Sequence, residues 1–334
     1  PKRKDFAFFM KARILLLITS FVWGTTFVFQ RMSTGTMGAF SFIAVRFLIG
    51  ALSILPLVYY TWRKLRAESL QSGKGAASGS GPAPANGGSA AGNITEKGGK
   101  PVSLVLCSFI LGFFLFCGSA LQQHGLIYTT AGKAGFISSL YIIAVPILGL
   151  FIHNAFRITH LVGCFISLCG LYLLAFHADG GPLNYGDLLN LAGVVFWALQ
   201  ILAIDNFVRW HPGIYLAEGQ FIFCSLLGFL LLPFSTEVLT WQVIRDTMIP
   251  LLYAGLMSSG VGFTLQIIAQ RNVPATEASL LLSTEMVFGA LAGFLILGEL
   301  MSGREIIGCV LMASGIFLAQ IPGRIIWPRE HIRR

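Results

Sequence analysis

Apolar residues in this chain come in unbroken runs of about 20, the length that crosses roughly 30 Å of hydrocarbon as a helix. Ten such runs lie near residues 14–30, 37–59, 102–124, 134–153, 158–177, 187–207, 213–234, 247–269, 275–297 and 304–322. They are continuous rather than alternating, so helices are expected and a barrel is not. Composition agrees. Of 334 residues 55% are hydrophobic and 11% charged, where a soluble domain carries about a quarter charged. The fold class expected is an all-α integral membrane protein of ten transmembrane helices, with the lipid bilayer as its first partner.

The formal net charge is +9. With the N-terminus inside, the inner segments collect eighteen of the 23 lysines and arginines, including Arg63, Lys64 and Arg66 after the second run. The outer loops hold only Arg31, Lys133, Arg245 and Arg304. This asymmetry predicts cytoplasmic N- and C-termini and an even number of spans. Topology therefore accounts for the basic balance, and no nucleic-acid partner is expected. The basic N-terminus before an apolar run resembles a signal peptide, but no small-residue cleavage site follows, so a retained first helix is expected. Residues 72–93, rich in Gly, Ala, Ser and Pro without aromatics, predict a flexible linker inside a cytoplasmic loop 61–101. The six cysteines fall inside apolar runs, without CxxC or histidines at ligand spacing. They read as small buried hydrophobes, and no metal or cofactor is expected.

The chain repeats itself. "GCFISLCGLYLLA" at 163–175 matches "GCVLMASGIFLAQ" at 308–320, and Leu121-Gln122 in the third run matches Leu265-Gln266 in the eighth. Val22-Trp23-Gly24 has a weaker partner in Phe196-Trp197-Ala198, with Thr26 opposite Gln200. Five runs make an odd unit, so its second copy enters the membrane from the other side. The expected organisation is two inverted five-helix repeats, 1–178 and 179–334, with a substrate site between them.

These residues resemble a known family. Trp23-Gly24 in the first run, Arg46 in the second, and "EASLLLSTEMVFGALAGFLILGE" at 277–299 followed by Gly308 and Gly315 are similar to the drug/metabolite transporter superfamily, EamA type. The resemblance covers the chain except for 61–101 and the tails. One departure is Met286, where many relatives carry proline after the glutamate. The resemblance implies a multi-pass protein of the inner membrane that moves small metabolites, commonly exporting amino acids or related compounds.

Two charges sit deep in the runs, Arg46 and Glu285. Each costs roughly 2.5–3.5 kcal/mol at a helix centre on insertion scales, and such residues face a bundle interior, a partner or water. Two roles are open for each. Arg46 is suited to a carboxylate, but arginine in the second helix is a family-wide feature across diverse substrates, which favours a structural role. Glu285 is suited to an amine or a proton, or to a fixed pair with Arg46. The rest of the expected cavity is aromatic and amide. Trp23 and Trp197 suit an apolar group or an ammonium. Gln122, Gln123, Gln200 and Gln266 suit polar substrates, or bond helix to helix. Thr26 is the remaining candidate, and threonines at such positions often bond their own backbone. Asp205 and Glu218 read as boundary or gate residues. Lys133 and Glu277 occupy matching positions after the third and eighth runs, near opposite faces, which suggests paired gates, but loop solvation is the expected account.

The function this points to is a secondary transporter of small metabolites working by alternating access, with export as the expected direction. Gly163/Gly170 and Gly308/Gly315 share helix faces and permit close approach, and Pro146 interrupts the fourth run. The chain contains no HExxH, GxSxG or GxxxxGK[ST], so an enzyme is not expected and the drive is a gradient rather than ATP. A lipid flippase using the same cavity is the alternative.

Overall fold

The computed structural model describes residues 2–76, 102–151, 158–175, 183–297, 302–319 and 321. These are mostly helical, with no strand among them. That follows from the solvent: in hydrocarbon each N–H and C=O must be satisfied within its own segment. Seven helices are long and apolar enough to cross a membrane: Met10–Ser33, Ala39–Glu68, Leu104–Tyr128, Gly132–Phe151, Tyr185–Phe207, Gly213–Phe234 and Met248–Gln270. The other three expected runs coincide with helix Ile158–Ala175, the interrupted pair Ala275–Leu282 and Glu285–Leu297, and helix Gly303–Ala319.

In chain order the helices used below are α1 (Lys2–Ser33), α2 (Ala39–Ala76), α3 (Leu104–Tyr128), α4 (Ala131–Ser139), α5 (Tyr141–Phe151), α6 (Ile158–Ala175), α7 (Tyr185–Phe207) and α8 (Gly213–Leu231). They continue with α9 (Trp241–Asp246), α10 (Met248–Leu252), a π-helical stretch Tyr253–Phe263, α11 (Thr264–Gln270), α12 (Ala275–Leu282), α13 (Glu285–Leu297) and α14 (Gly303–Ala319). α2 overruns its expected end and stays helical through Ala76, so the first part of the 61–101 segment is helix. Lys64, Leu65, Arg66, Ala67 and Glu68 are strong helix formers and carry the helix on past its apolar part. The remainder of the expected linker lies outside the described residues.

Packing joins the first half of the sequence to the second. α6 runs along α14, α3 along α7 and α8, and α2 along α8. α1 lies on α13 and on the π-helical stretch, while α4 and α5 lie on α7. The glycines singled out in the sequence make the α6–α14 contact. A Cβ on Gly170 would stand 2.6 Å from the Gly308 carbonyl oxygen and from the Met312 nitrogen, and one on Gly315 would stand 2.6 Å from the Gly163 carbonyl oxygen. Gly170→Ala gains about 1 kcal/mol in helix propensity, but here the new methyl meets backbone that has nowhere to move. The expected result is a net loss of about 1–3 kcal/mol, read as a lower unfolding temperature in detergent. An unchanged or raised temperature would show that α6 and α14 separate freely.

Helix ends are tied across the chain as well. α2 has no cap of its own. Glu237, nearly 200 residues away, accepts from the backbone N–H of Phe40 (3.0 Å) and Ser41 (2.8 Å) and from the Ser41 hydroxyl. A carboxylate there satisfies orphan donors and complements the helix dipole. α7 opens with a capping box, in which Asn184 and Asp187 each accept from the other's backbone N–H.

Candidate functional site

A cavity lies between α1, α2, α3, α4, α5, α7, the π-helical stretch, α11 and α13. It encloses about 500 Å³ of atom-free space, counting its open mouth. Eight of the residues expected at such a site line it: Trp23, Thr26, Arg46, Gln122, Trp197, Gln200, Gln266 and Glu285. Gln123 is placed one layer back, accepting from Gln30 (3.3 Å) and donating to Ser33 (3.3 Å).

Trp23 reaches the cavity because of its neighbour. A Cβ on Gly24 would collide with the Glu285 carbonyl oxygen and stand 2.7 Å from the Gly289 nitrogen. The bare glycine lets α1 rest on the first turns of α13, which fixes Trp23 and Glu285 in one geometry. The Trp23 indole donates to the Ser258 carbonyl (3.3 Å) and lies on Gly262, while the Trp197 ring lies on Gly118. Phe263 sits between the two indoles, its centroid 4.6 Å from Trp23 and 6.1 Å from Trp197. The three rings form an aromatic wall.

Arg46 is buried on one side of the cavity. Its Nη2 donates to the Ser258 hydroxyl (2.9 Å) and its Nε to that of Ser259 (3.3 Å). Its guanidinium carbon is 4.8 Å from the Phe47 ring centroid and 5.8 Å from that of Phe42. Among the described residues no carboxylate lies within ion-pair distance of it, and Nη1 makes no hydrogen bond. The serines come from the π-helical stretch, a backbone form that is rare and concentrates at functional sites.

Glu285 begins α13, just after the break at Ser283 and Thr284, whose hydroxyls turn back to the carbonyls of Leu280 and Leu281. The ninth run is interrupted here with no proline between 275 and 297. The carboxylate accepts from the Tyr141 hydroxyl (3.0 Å) and the Ser139 hydroxyl (3.2 Å), both on Oε1. Its Oε2 accepts no hydrogen bond among the described residues. Arg46 and Glu285 therefore line one cavity without pairing.

The amides form two groups. Gln122 donates to Ser138 (2.9 Å), and Gln266 donates to Gln200 (3.4 Å), which donates to Gln220 (3.3 Å). Among the described residues, two buried atoms on cavity-lining residues have no partner, the donor Nε1 of Trp197 and the acceptor Oε1 of Gln266. Unpaired polar atoms of this kind are costly. Thr26 bonds its own helix at the Val22 carbonyl, 2.6 Å away. Gln30, one of the polar residues of the 21–30 stretch expected to face a cavity, also lines it, and sequence reasoning missed Phe27, Ser138, Tyr141, Ile201, Ser258 and Phe263. Gln30 and the Ser258-Ser259 pair carried a signal, being polar within apolar runs; Phe263 and Tyr141 carried none.

Known proteins agree with this architecture. The EamA-like transporter family matches twice, over residues 10–176 and 184–320. An uncharacterized transporter of Archaeoglobus fulgidus is 25% identical over 308 residues, covering 92% of this chain and 84% of that protein. One from Bacillus subtilis is 21% identical over 325 residues, covering 92% and 96%. A solved protein structure superposes with a TM-score of 0.67 at 17% identity, covering 93% of this chain and 96% of the other, a likeness of fold. Since the family covers nearly the whole chain in two consecutive matches, the chain belongs to the EamA-like transporter family.

Proposed function

We propose that this membrane transporter moves small amphoteric metabolites, amino acids or close relatives, by alternating access of two inverted five-helix repeats, 1–178 and 179–334, and that it exports them. The observation that carries this is the pair of opposite charges left unpaired across one cavity. Arg46 suits a carboxylate, Oε2 of Glu285 suits an ammonium, and the wall of Trp23, Phe263 and Trp197 suits the apolar remainder.

Support for ten spans in two inverted repeats comes from positions that match across the halves. Trp23 and Trp197 are 174 residues apart, and Gly118 and Gly262, the glycines under those rings, are 144 apart. Tyr141 and Glu285 are also 144 apart, bond each other, and follow the breaks in the fourth and ninth runs. Transporters of this construction bind at discontinuous helices between repeats. The lysine and arginine asymmetry supports cytoplasmic placement of both termini.

The test is flux in proteoliposomes with an apolar amino acid, its N-acetyl derivative and its carboxamide. The amino acid is expected to move, and each blocked form, having lost one charge, to move about 100-fold less efficiently. Equal flux for all three would overturn the proposal.

A further inference from the structure

Two ion pairs outside the cavity have the same construction. Arg13 Nε lies 2.6 Å from Glu277 Oε1, and Lys133 Nζ lies 2.6 Å from Asp187 Oδ2. Lys133 and Glu277 are thus engaged by protein charges, which corrects the loop-solvation expectation: both side chains are mostly buried. Each pair joins the first half of the sequence to the second, α1 to α12 and α4 to α7. In both, the acid lies in the first turn of a helix, where its charge is favoured.

The pairs lie at opposite ends of α1. Arg31, in its last turn, donates to the backbone carbonyls of Leu126 and Thr129, and the Thr129 hydroxyl donates to Asp187 (2.8 Å). Arg13 and Arg31 are separated by about 27 Å of helix, close to the hydrocarbon thickness. The positions also correspond: Asp187 is 174 residues after Arg13, as Trp197 is after Trp23, and Glu277 is 144 after Lys133, as Glu285 is after Tyr141. The signs are exchanged. In the first pair the basic residue is on the first helix of its half; in the second that position is acidic. Arg31 and Asp205 repeat the exchange at the other helix ends, 174 residues apart.

We propose that Arg13–Glu277 and Lys133–Asp187 are the two gates of the cavity, one at each membrane face, released alternately as the halves rock. Opposite signs at equivalent positions keep each gate specific: the basic residue at one face has no acid to meet at the other position of its own half. Releasing a gate does not leave its acid bare, because Asp187 keeps its capping box with Asn184 and its bond to Thr129, and Glu277 keeps the first turn of α12. The inference rests on the alternating-access reading above.

The test reads which face the cavity opens to, without substrate. Ser138 lines the cavity. A Ser138→Cys chain in sealed vesicles of each orientation is labelled with a membrane-impermeant maleimide, and labelling of the parent chain is subtracted. Arg13→Gln is expected to raise labelling from the face where α1 begins and lower it from the other. Lys133→Gln is expected to do the reverse. The change expected is about two- to five-fold, the worth of a partly exposed ion pair. Arg13→Lys and Lys133→Arg, which keep the charges, are expected to restore the parent ratio. Two substitutions that move the ratio the same way, or leave it unmoved while the introduced thiol is labelled, would overturn the gates alone. An introduced thiol labelled from only one face in every variant would overturn the gates together with alternating access.

Discussion

Glu285→Gln is expected to cut transport of amine-bearing substrates by about 100-fold or more while the protein inserts and unfolds near the wild-type temperature. The substitution is close to isosteric. Tyr141 and Ser139 both donate to Oε1, and a carboxamide oxygen accepts the same two bonds, so the link from α4 and α5 to α13 survives. What is lost is the negative charge and the second acceptor at Oε2, which a carboxamide replaces with a donor. The closely packed Gly24, which rests on this turn of α13, meets the Glu285 main chain and is untouched. Flux in proteoliposomes, with thermal unfolding as control, is the measurement. Unchanged flux in a stable variant would remove Glu285 from both substrate binding and proton transfer.

Arg46→Met is expected to show the opposite balance from an ordinary core substitution. Transport of carboxylate-bearing substrates should fall about 100-fold, with stability unchanged or raised by about 1–4 kcal/mol. Arg46 is a buried cation whose protein partners are two serine hydroxyls and two aromatic rings, not an acid. Its desolvation is therefore incompletely offset in the empty protein, and replacing it with an apolar side chain relieves that cost. On the proposed function, retaining such a charge is the stability–activity trade-off of a binding site. Arg46→Lys should fall between, since lysine keeps the charge but loses the planar fork that grips a carboxylate. A marked fall in unfolding temperature for Arg46→Met would instead make Arg46 a structural tie between α2 and the π-helical stretch, the role that arginine's occurrence across diverse relatives favoured.

What the sequence determined by itself is whatever depends on neighbours along the chain. An apolar run of about 20 residues has to be a helix in hydrocarbon because its backbone bonds have no other source of partners. Gly163/Gly170 and Gly308/Gly315 announced an interface because a missing side chain on one helix face is a local property, and they meet each other across it. Trp23-Gly24 was legible for the same reason: a large ring beside a bare backbone within one turn means a helix pressed close on one side and facing space on the other. Arg46 and Glu285 stood out because a charge in an apolar run demands an account.

Only the tertiary structure decided which groups meet. Tyr141 was one more apolar-run aromatic until its hydroxyl was found on a carboxylate 144 residues away. Lys133 read as a loop charge because the acid that engages it, Asp187, follows after 54 further residues. Gln122 and Gln123 are adjacent and alike in composition, yet one lines the cavity and the other bonds Gln30 and Ser33 behind it. Successive helix residues point about 100° apart, and the packing of the whole bundle, not the local pattern, chooses which direction is inward. The break at Ser283–Thr284 was equally hidden, since no proline marks it in the sequence.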